Sequence, residues 1–203
     1  MVKSRREEYA DSTKQALLDA AETAFVERGY AATSLDDVAA AARVTKGALY
    51  HHFENKQRLF EAVFVRLEEA AIAKTTEAAT TKRDPWNQAL AGLGAFLEMC
   101  EEDRFRRIVL EEGPAALGWH RWRELEEPYG VSVLRAELQY MADAGVIRKT
   151  SLDMLAGMLY GALTEAAFAI SAAPPAERTA TRRAAEKTLA TVLSGFRTRV
   201  PGR

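Results

Sequence analysis

Apolar residues recur along the chain every third or fourth position, and no stretch alternates residue by residue as a half-buried strand would. Leu17, Leu18, Ala21 and Phe25 form the first such stripe. Ser12, with Gln15 three positions on, offers a start through an S-x-x-Q capping box. Gly29 offers the left-handed stop, after which Tyr30 can fold back on Phe25. A second helix is predicted from Ser34, with Asp37 as its box partner. Its buried face is Leu35, Val38, Ala39 and Ala42, spaced i, i+3, i+4 and i+7. Thr45 is the next N-cap, so only Arg43 and Val44 remain for the turn. Asn55 can cap a fourth, longer helix running to about Thr76.

The rest of the chain reads the same way. The polar run 80–85 interrupts it, and Pro85 suits the first turn of a new helix. Glu111-Glu112-Gly113-Pro114 predicts another break, Asp143-Ala144-Gly145 a helix exit, and Pro174-Pro175 a separation between the last two helices. The last helix places Ala185, Leu189, Val192, Leu193 and Phe196 on one face. The expected class is all-α: three short N-terminal helices ending in a tight helix-turn-helix, followed by a larger helical bundle.

Composition narrows the function. The chain has 203 residues, 48% hydrophobic and 28% charged, as in ordinary globular proteins. One cysteine, Cys100, excludes an internal disulfide framework and fits a reducing cytoplasm. The start is basic but has no apolar core of a secretion signal. The longest apolar stretch, 152–173, carries Asp153 and Glu165, and a mid-membrane acid costs about 2.5–3.5 kcal/mol. A buried helix is expected there rather than a membrane span. The net charge of −1 hides a local excess: between 43 and 58 stand Arg43, Lys46, Lys56 and Arg58 against Glu54 alone. Lys3, Arg5 and Arg6 add a basic N-terminus, with Arg5 and Arg6 candidates for a disordered arm in the minor groove.

Two of the three histidines, His51 and His52, are adjacent; the third is His120. Neighbours on a helix point about 100° apart, so the pair cannot easily grip one ion, and no Cys/His cluster completes a shell. No metal and no cofactor are expected. With Leu49 set inward, Gly47 and His51 face outward, flanked by Ala48 and Tyr50, with Thr45 and Lys46 at the helix start; His52 turns back to pack. Small residues let a helix backbone come close to another surface. A DNA major groove admits a helix, a small apolar side chain can meet a thymine methyl, and Tyr or His can bond phosphate. Lys56, and Thr33 and Ser34 at the start of the second helix, add expected phosphate contacts beside unpaired N–H groups. The reading is a face for double-stranded DNA.

The stretch "TSLDDVAAAARVTKGALYHHFENKQRLFEAV", with "ALLDAAETAFVERGYAAT" before it, resembles the helix-turn-helix of the tetracycline-repressor (TetR) family of bacterial transcription regulators. Ala39, Val44, Gly47, Leu49, Tyr50, Phe53, Lys56 and Leu59 fall in the family's register across about residues 13–65. The resemblance implies a homodimeric, cytoplasmic regulator, expected to be a repressor, whose third helix enters a palindromic operator. Arg43 departs from it, since glycine is common at that turn, and a left-handed Arg costs about 1–2 kcal/mol. The implied domains are 11–71, with the motif at about 34–53, and 72–203.

The second part resembles the family in architecture and, more loosely, in "EEGPAALGWHRWRELEEPYG" at 111–130. The family's logic makes it a ligand-sensing and dimerising domain. Phe96, Met99 and Cys100 share a helix face, Trp119 and Trp122 lie about a turn apart, and Tyr140 and Met141 sit on another helix. Together they point to an apolar or aromatic effector. Gly157 and Gly161, with Ala162, Ala166 and Ala169, permit close helix approach, and with Phe168, Leu189, Val192 and Phe196 they form the expected dimer interface, a four-helix bundle. Glu111-Glu112 and Glu126-Glu127 read as solvated acids. Nothing forms a nucleophile motif or a phosphate loop, so no enzyme is expected. The competing reading is a helical small-molecule carrier without specific DNA binding.

Overall fold

The structure, a computed structural model, describes residues 4–148 and 150–198. Lys3 lies outside them, as do the side chains of Arg5 and Arg6, whose backbone opens the first helix. The elements are α1 (Arg5–Ala32), α2 (Leu35–Ala41), α3 (Lys46–His52), α4 (Lys56–Thr80), α5 (Pro85–Met99), α6 (Asp103–Phe105), a π-helical segment (Arg106–Glu112), α7 (Gly113–Leu117), α8 (Trp119–Glu126), α9 (Val131–Asp143), α10 (Leu152–Ala172) and α11 (Arg178–Ser194). The described residues contain no strand beyond one isolated antiparallel bridge between Ile147 and Arg197.

Two compact units emerge: residues to Leu67 with Arg107–Trp122, and Glu68–Arg106 with Arg123 onward. In the first, α1 begins earlier than predicted. Ser4 rather than Ser12 caps it, accepting from the Glu7 N–H while the Glu7 carboxylate accepts from the Ser4 N–H at 2.7 Å. The box at residues 4–7 is complete, so Ser12 lies inside the helix and Arg5 and Arg6 sit in its first turn rather than in a disordered arm. Gly29, at φ +79°, breaks the helical path as expected, and the Tyr30 ring settles 6.0 Å from Phe25 and 5.1 Å from Phe60. A side chain at Gly29 would also meet the Glu112 carboxylate at 2.7 Å. That carboxylate accepts from the Tyr30 N–H. The core of this unit includes Leu17, Ala21 and Phe25 of α1, Val38 and Ala39 of α2, Leu49 of α3, and Leu59, Phe60 and Phe64 of α4. Arg66 reaches from α4 to Asp19 at 2.6 Å and to Glu22 of α1, and Arg121 grips Glu61 through two 3.0 Å bonds.

Glu111-Glu112-Gly113-Pro114 does not end a helix; it changes its winding. The carbonyl of Val109 stands five residues before Pro114, which has no N–H to donate. The Trp122 indole N–H supplies the missing donor at 3.1 Å. Gly113 allows this, because a Cβ there would lie 2.9 Å from the Trp122 ring.

In the second unit, Asp84 caps α5 over Pro85, and Gly145, at φ +70°, ends α9. Trp86, Leu138, Met141, Ile147, Leu155, Ala156, Leu159 and Leu193 form its core, with Phe196 packed against them. α10 is long and apolar enough to cross a membrane by length and composition, but Leu155, Leu159, Ala167 and Ile170 bury one face of it within the chain. The Arg197 guanidinium lies 4.7 Å from the centroid of Trp86, and Arg148 N–H bonds to the Phe196 carbonyl. The residues just after α11 are thereby fastened to the core of their own unit. α4 is one continuous helix that extends to Thr80, four residues beyond the expected end; the first unit holds it to Leu67 and the second from Glu68.

Candidate nucleic-acid interface and sensing domain

The turn between α2 and α3 is closed by backbone bonds from the Val44 N–H to the Ala39 carbonyl at 3.0 Å and from the Arg43 N–H to the Ala40 carbonyl at 3.1 Å. That pair defines a Schellman stop, whose left-handed position is usually glycine. Here Arg43 occupies it at φ 57°, so the expected strain is present. Thr45 then caps α3, its hydroxyl accepting from the Ala48 N–H at 3.2 Å. Ser34 caps α2 in the same way. The Asp37 side chain turns to Arg28, 3.6 Å away.

α3 buries Leu49 and presents Thr45, Lys46, Gly47, Tyr50 and His51 to solvent, with Ala48 half-buried at the edge. Tyr50 is 54% exposed. His52 is half-buried, and burial, then the charges of His51 and Lys14, push its imidazole below the ordinary range. A Cβ added at Gly47 would meet nothing closer than the Thr45 hydroxyl at 4.0 Å. The fold therefore does not require glycine there, although glycine inside a helix costs about 1 kcal/mol against alanine. The bare backbone faces outward. Lys46 bonds Asp36 at 2.5 Å, an exposed pair that raises its pKa, first by that bond and then by the carboxylate's charge. Its ammonium exchanges partners readily, because exposed pairs are weak.

Two expected phosphate contacts have other partners. The Lys56 ammonium donates to the carbonyls of Tyr30 at 2.8 Å, Thr33 at 3.1 Å and Ala31 at 3.3 Å. Lys56 closes the end of α1, where four carbonyls lack helical partners. Thr33 is 2% exposed, and its hydroxyl reaches the carbonyls of Gly29 at 2.8 Å and Ala24 at 3.2 Å. Neither role was visible from residue type, since both depend on where α1 turns off. An open groove of about 460 Å³ still joins Ala32, Ser34, Asp36, Tyr50 and Lys56.

The seven expected ligand residues differ in burial. Met99 and Cys100 are buried, and Phe96 is half-buried with its ring edge-on to Phe105 at 6.2 Å. Trp122 is buried in the first unit, while Trp119, 5.0 Å from it, is 54% exposed. Met141 belongs to the core of the second unit and its neighbour Tyr140 is 49% exposed. The expected dimer residues divide as well. Gly157 and Gly161 are exposed with open space beside them, together with Met154 and Met158 at 65% and Val192 at 48%. Leu189 is buried on the inward face of α11, and Phe196, in the turn after that helix, packs on its own core. Phe168 is half-buried.

One group of polar residues escaped the sequence reading. Glu126 is no solvated acid: its carboxyl is hydrogen-bonded to that of Glu68, and the Tyr160 hydroxyl donates to it at 3.0 Å. Burial raises the pKa of both carboxyls, and the charge of Glu126 raises Glu68 further. Burial likewise pushes up the Tyr160 hydroxyl and the nearby Cys100 thiol. Among the described residues, no group of three or more His, Cys, Asp or Glu is placed to hold a metal ion.

These features describe a helix-turn-helix DNA-binding protein. Residues 17–63 match the model for bacterial regulatory proteins of the tetR family, and residues 86–196 that for the tetracyclin repressor-like C-terminal domain. The chain belongs to the TetR family of DNA-binding transcriptional repressors and regulators. It is 28% identical to the TetC protein of transposon Tn10 from Escherichia coli over 162 residues, covering 78% of this chain and 80% of that one. A crystal structure of a TetR-family transcriptional regulator from Pectobacterium atrosepticum is 31% identical, with a TM-score of 0.82, over 97% of this chain and 99% of that one. The structure of a SmeT–triclosan complex shares the fold, with 24% identity and a TM-score of 0.70 over 94% and 96%.

Proposed function

We propose that this protein is a ligand-released repressor that binds an inverted-repeat operator as a homodimer in the bacterial cytoplasm, performing no chemistry of its own. The observation that carries the reading is the outward face of α3, where Gly47 is bare without any need from the fold. Gly47 and Ala48 let the helix sink into the major groove, and Tyr50, His51, Thr45 and Lys46 bond bases or phosphates at its rim. Ser34 adds a contact from α2. Residues 11–71 act as the DNA-binding domain and 72–203 as the sensing and dimerising domain.

The dimer surface is the exposed stripe of α10, Met154, Gly157, Met158 and Gly161, with Val192 of α11. Small residues permit close helix approach, and methionines adapt to what they meet. A two-fold dimer of this kind sets its recognition helices about 34–36 Å apart, or a multiple of that. Effector release acts through α4, whose first turn closes α1 through Lys56 and which carries Glu68 roughly 18 Å further along its axis. The SmeT complex is of a protein of this fold with triclosan. Coupling of about 1–3 kcal/mol would weaken operator binding roughly 5- to 150-fold. Titrating a bound genomic fragment with candidate effectors tests the reading; ligands that bind yet leave operator affinity unchanged would reduce the second domain to a dimerisation device.

A further inference from the structure

We infer that the effector is an organic cation, an apolar amine whose protonated nitrogen is received by Glu68 of α4 and Glu126 of α8. The inference rests on the sensing role proposed above for the second domain and specifies the chemistry of what it senses.

Glu68 is 4% exposed, and its Oε1 is buried with no hydrogen-bond partner. A buried carboxyl oxygen left unpaired costs about 1–3 kcal/mol, more when charged. Nothing in the packing requires that cost, since a leucine or methionine would fill the same place at a helix interface without it. Beside it stands Glu126, which already accepts from the Tyr160 hydroxyl at 3.0 Å. Tyr160 is held there by shape: a Cβ on Gly130 would lie 2.3 Å from its ring, so Gly130 is what lets the ring approach. The Arg123 guanidinium lies 4.7 Å from the centroid of that ring. The Cys100 thiol is also buried nearby and bonds back to the Phe96 carbonyl at 3.4 Å.

The group therefore offers acceptors in excess of donors. Two carboxyls are hydrogen-bonded to each other, one proton serves both, and one buried oxygen has no donor. Arg123 already opposes one carboxylate, so an ammonium takes the place of the shared proton, opposing the second charge and bringing several N–H donors at once. A neutral alcohol would bring the unpaired oxygen one donor but no charge, and an anion would meet two acids. When the cation arrives, the shared proton leaves to solvent and both carboxyls become anionic around the ligand. Binding is thus coupled to release of up to one proton, and affinity rises with pH until the carboxyls are ionised without the ligand.

The test uses the full-length protein and a panel of arylmethyl and alkyl amines of graded size, each paired with its alcohol, beginning with 2-naphthylmethylamine and 2-naphthylmethanol. Titration calorimetry at pH 7 in buffers of different ionisation enthalpy reads affinity and proton release together. The expected result is that amines bind at least tenfold more tightly than their alcohols, with net proton release, and that Glu68→Gln and Glu126→Gln each abolish the preference. Both substitutions conserve shape, and thermal melting checks that they fold; proton release by the wild type needs no variant. Equal binding of amine and alcohol, a preference for alcohols, or binding by neither series overturns the cation site. If alcohols alone bind and release the operator, the sensing reading stands without it. If amines bind selectively yet leave operator affinity unchanged, the cation site stands and the sensing reading falls.

Discussion

The ammonium of Lys56 lies 4.3 Å from the centroid of the Tyr30 ring and donates to the carbonyl of that same residue. One lysine thus closes α1 and anchors the first turn of α4 to it. Its contribution is to the domain before it is to DNA. Lys56→Ala should destabilise the domain by about 1–3 kcal/mol, since charged hydrogen bonds are lost and carbonyls are stranded. The slope of log affinity against log salt should stay as in the wild type, at temperatures where the variant is folded. A slope flatter by about one would instead place Lys56 on a phosphate.

Tyr50→Ala should do the reverse. Tyr50 is half exposed and supports little of the core, so melting should be unchanged within about 0.5 kcal/mol. Operator affinity should fall by roughly tenfold, the value of one good hydrogen bond with its packing. Fluorescence anisotropy with a labelled operator checks this, and undiminished affinity would remove Tyr50 from the DNA face.

Arg43→Gly should stabilise the protein. The left-handed φ of 57° costs an arginine about 1–2 kcal/mol, of which the greater freedom of glycine in the unfolded chain takes back a part. A net gain of about 0.5–1 kcal/mol in chemical denaturation is expected. A loss would show that the Arg43 side chain contributes more than its backbone costs.

Stability should also depend on Glu68 in a fixed direction. Its folded carboxyl titrates well above the ordinary 4.5, because of burial and then Glu126. The folded state therefore keeps a proton that the unfolded chain releases. The contribution is full below pH 4.5 and is lost as pH rises from there through the raised folded value. Glu61 works oppositely: Arg121 and Arg58 hold it down, so its contribution is lost as the medium turns acid. The melting temperature of Glu68→Gln should match the wild type in acid and exceed it increasingly as pH rises. A gap that narrows with rising pH would contradict the buried pair.

Gly161→Leu and Met158→Asp should produce monomers with weakened operator binding. A side chain at Gly161 meets nothing within 4 Å inside the chain, so its effect reports on a partner and not on folding. Sedimentation equilibrium at micromolar concentration gives the answer, and variants as dimeric as the wild type would place the interface elsewhere. Phe196→Asp is unsuitable, because Phe196 packs on its own core.

Features fixed by neighbours in the chain were legible in the sequence. Ser34, Thr45 and Asn55 cap the helices they were expected to cap, Gly29 breaks the path of α1 three residues before its end, Gly145 follows the end of α9, and Leu49 divides α3 into a buried and an open face. What depends on distant packing was not. Ser12 and Gln15 carry the same box signature as Ser4 and Glu7, and the pattern does not rank them. Nothing in the string "EEGP" shows that Trp122 would supply the donor that Pro114 lacks. Glu68 and Glu126 each sit in an acidic pair, Glu68-Glu69 and Glu126-Glu127, which reads as a solvated face, and burial of one member of each is decided by residues more than thirty positions away. The same holds for Lys56, whose partners lie 23 to 26 positions back.

The most direct measurement of the central claim is selection of double-stranded fragments from the source genome by the purified protein, repeated with Tyr50→Ala. The account predicts strong enrichment of an inverted repeat with half-sites about one duplex turn, or a multiple of it, apart, protected by the wild type and lost or sharply weakened with the variant. Enrichment of no sequence above background, or equal enrichment by both proteins, would contradict it.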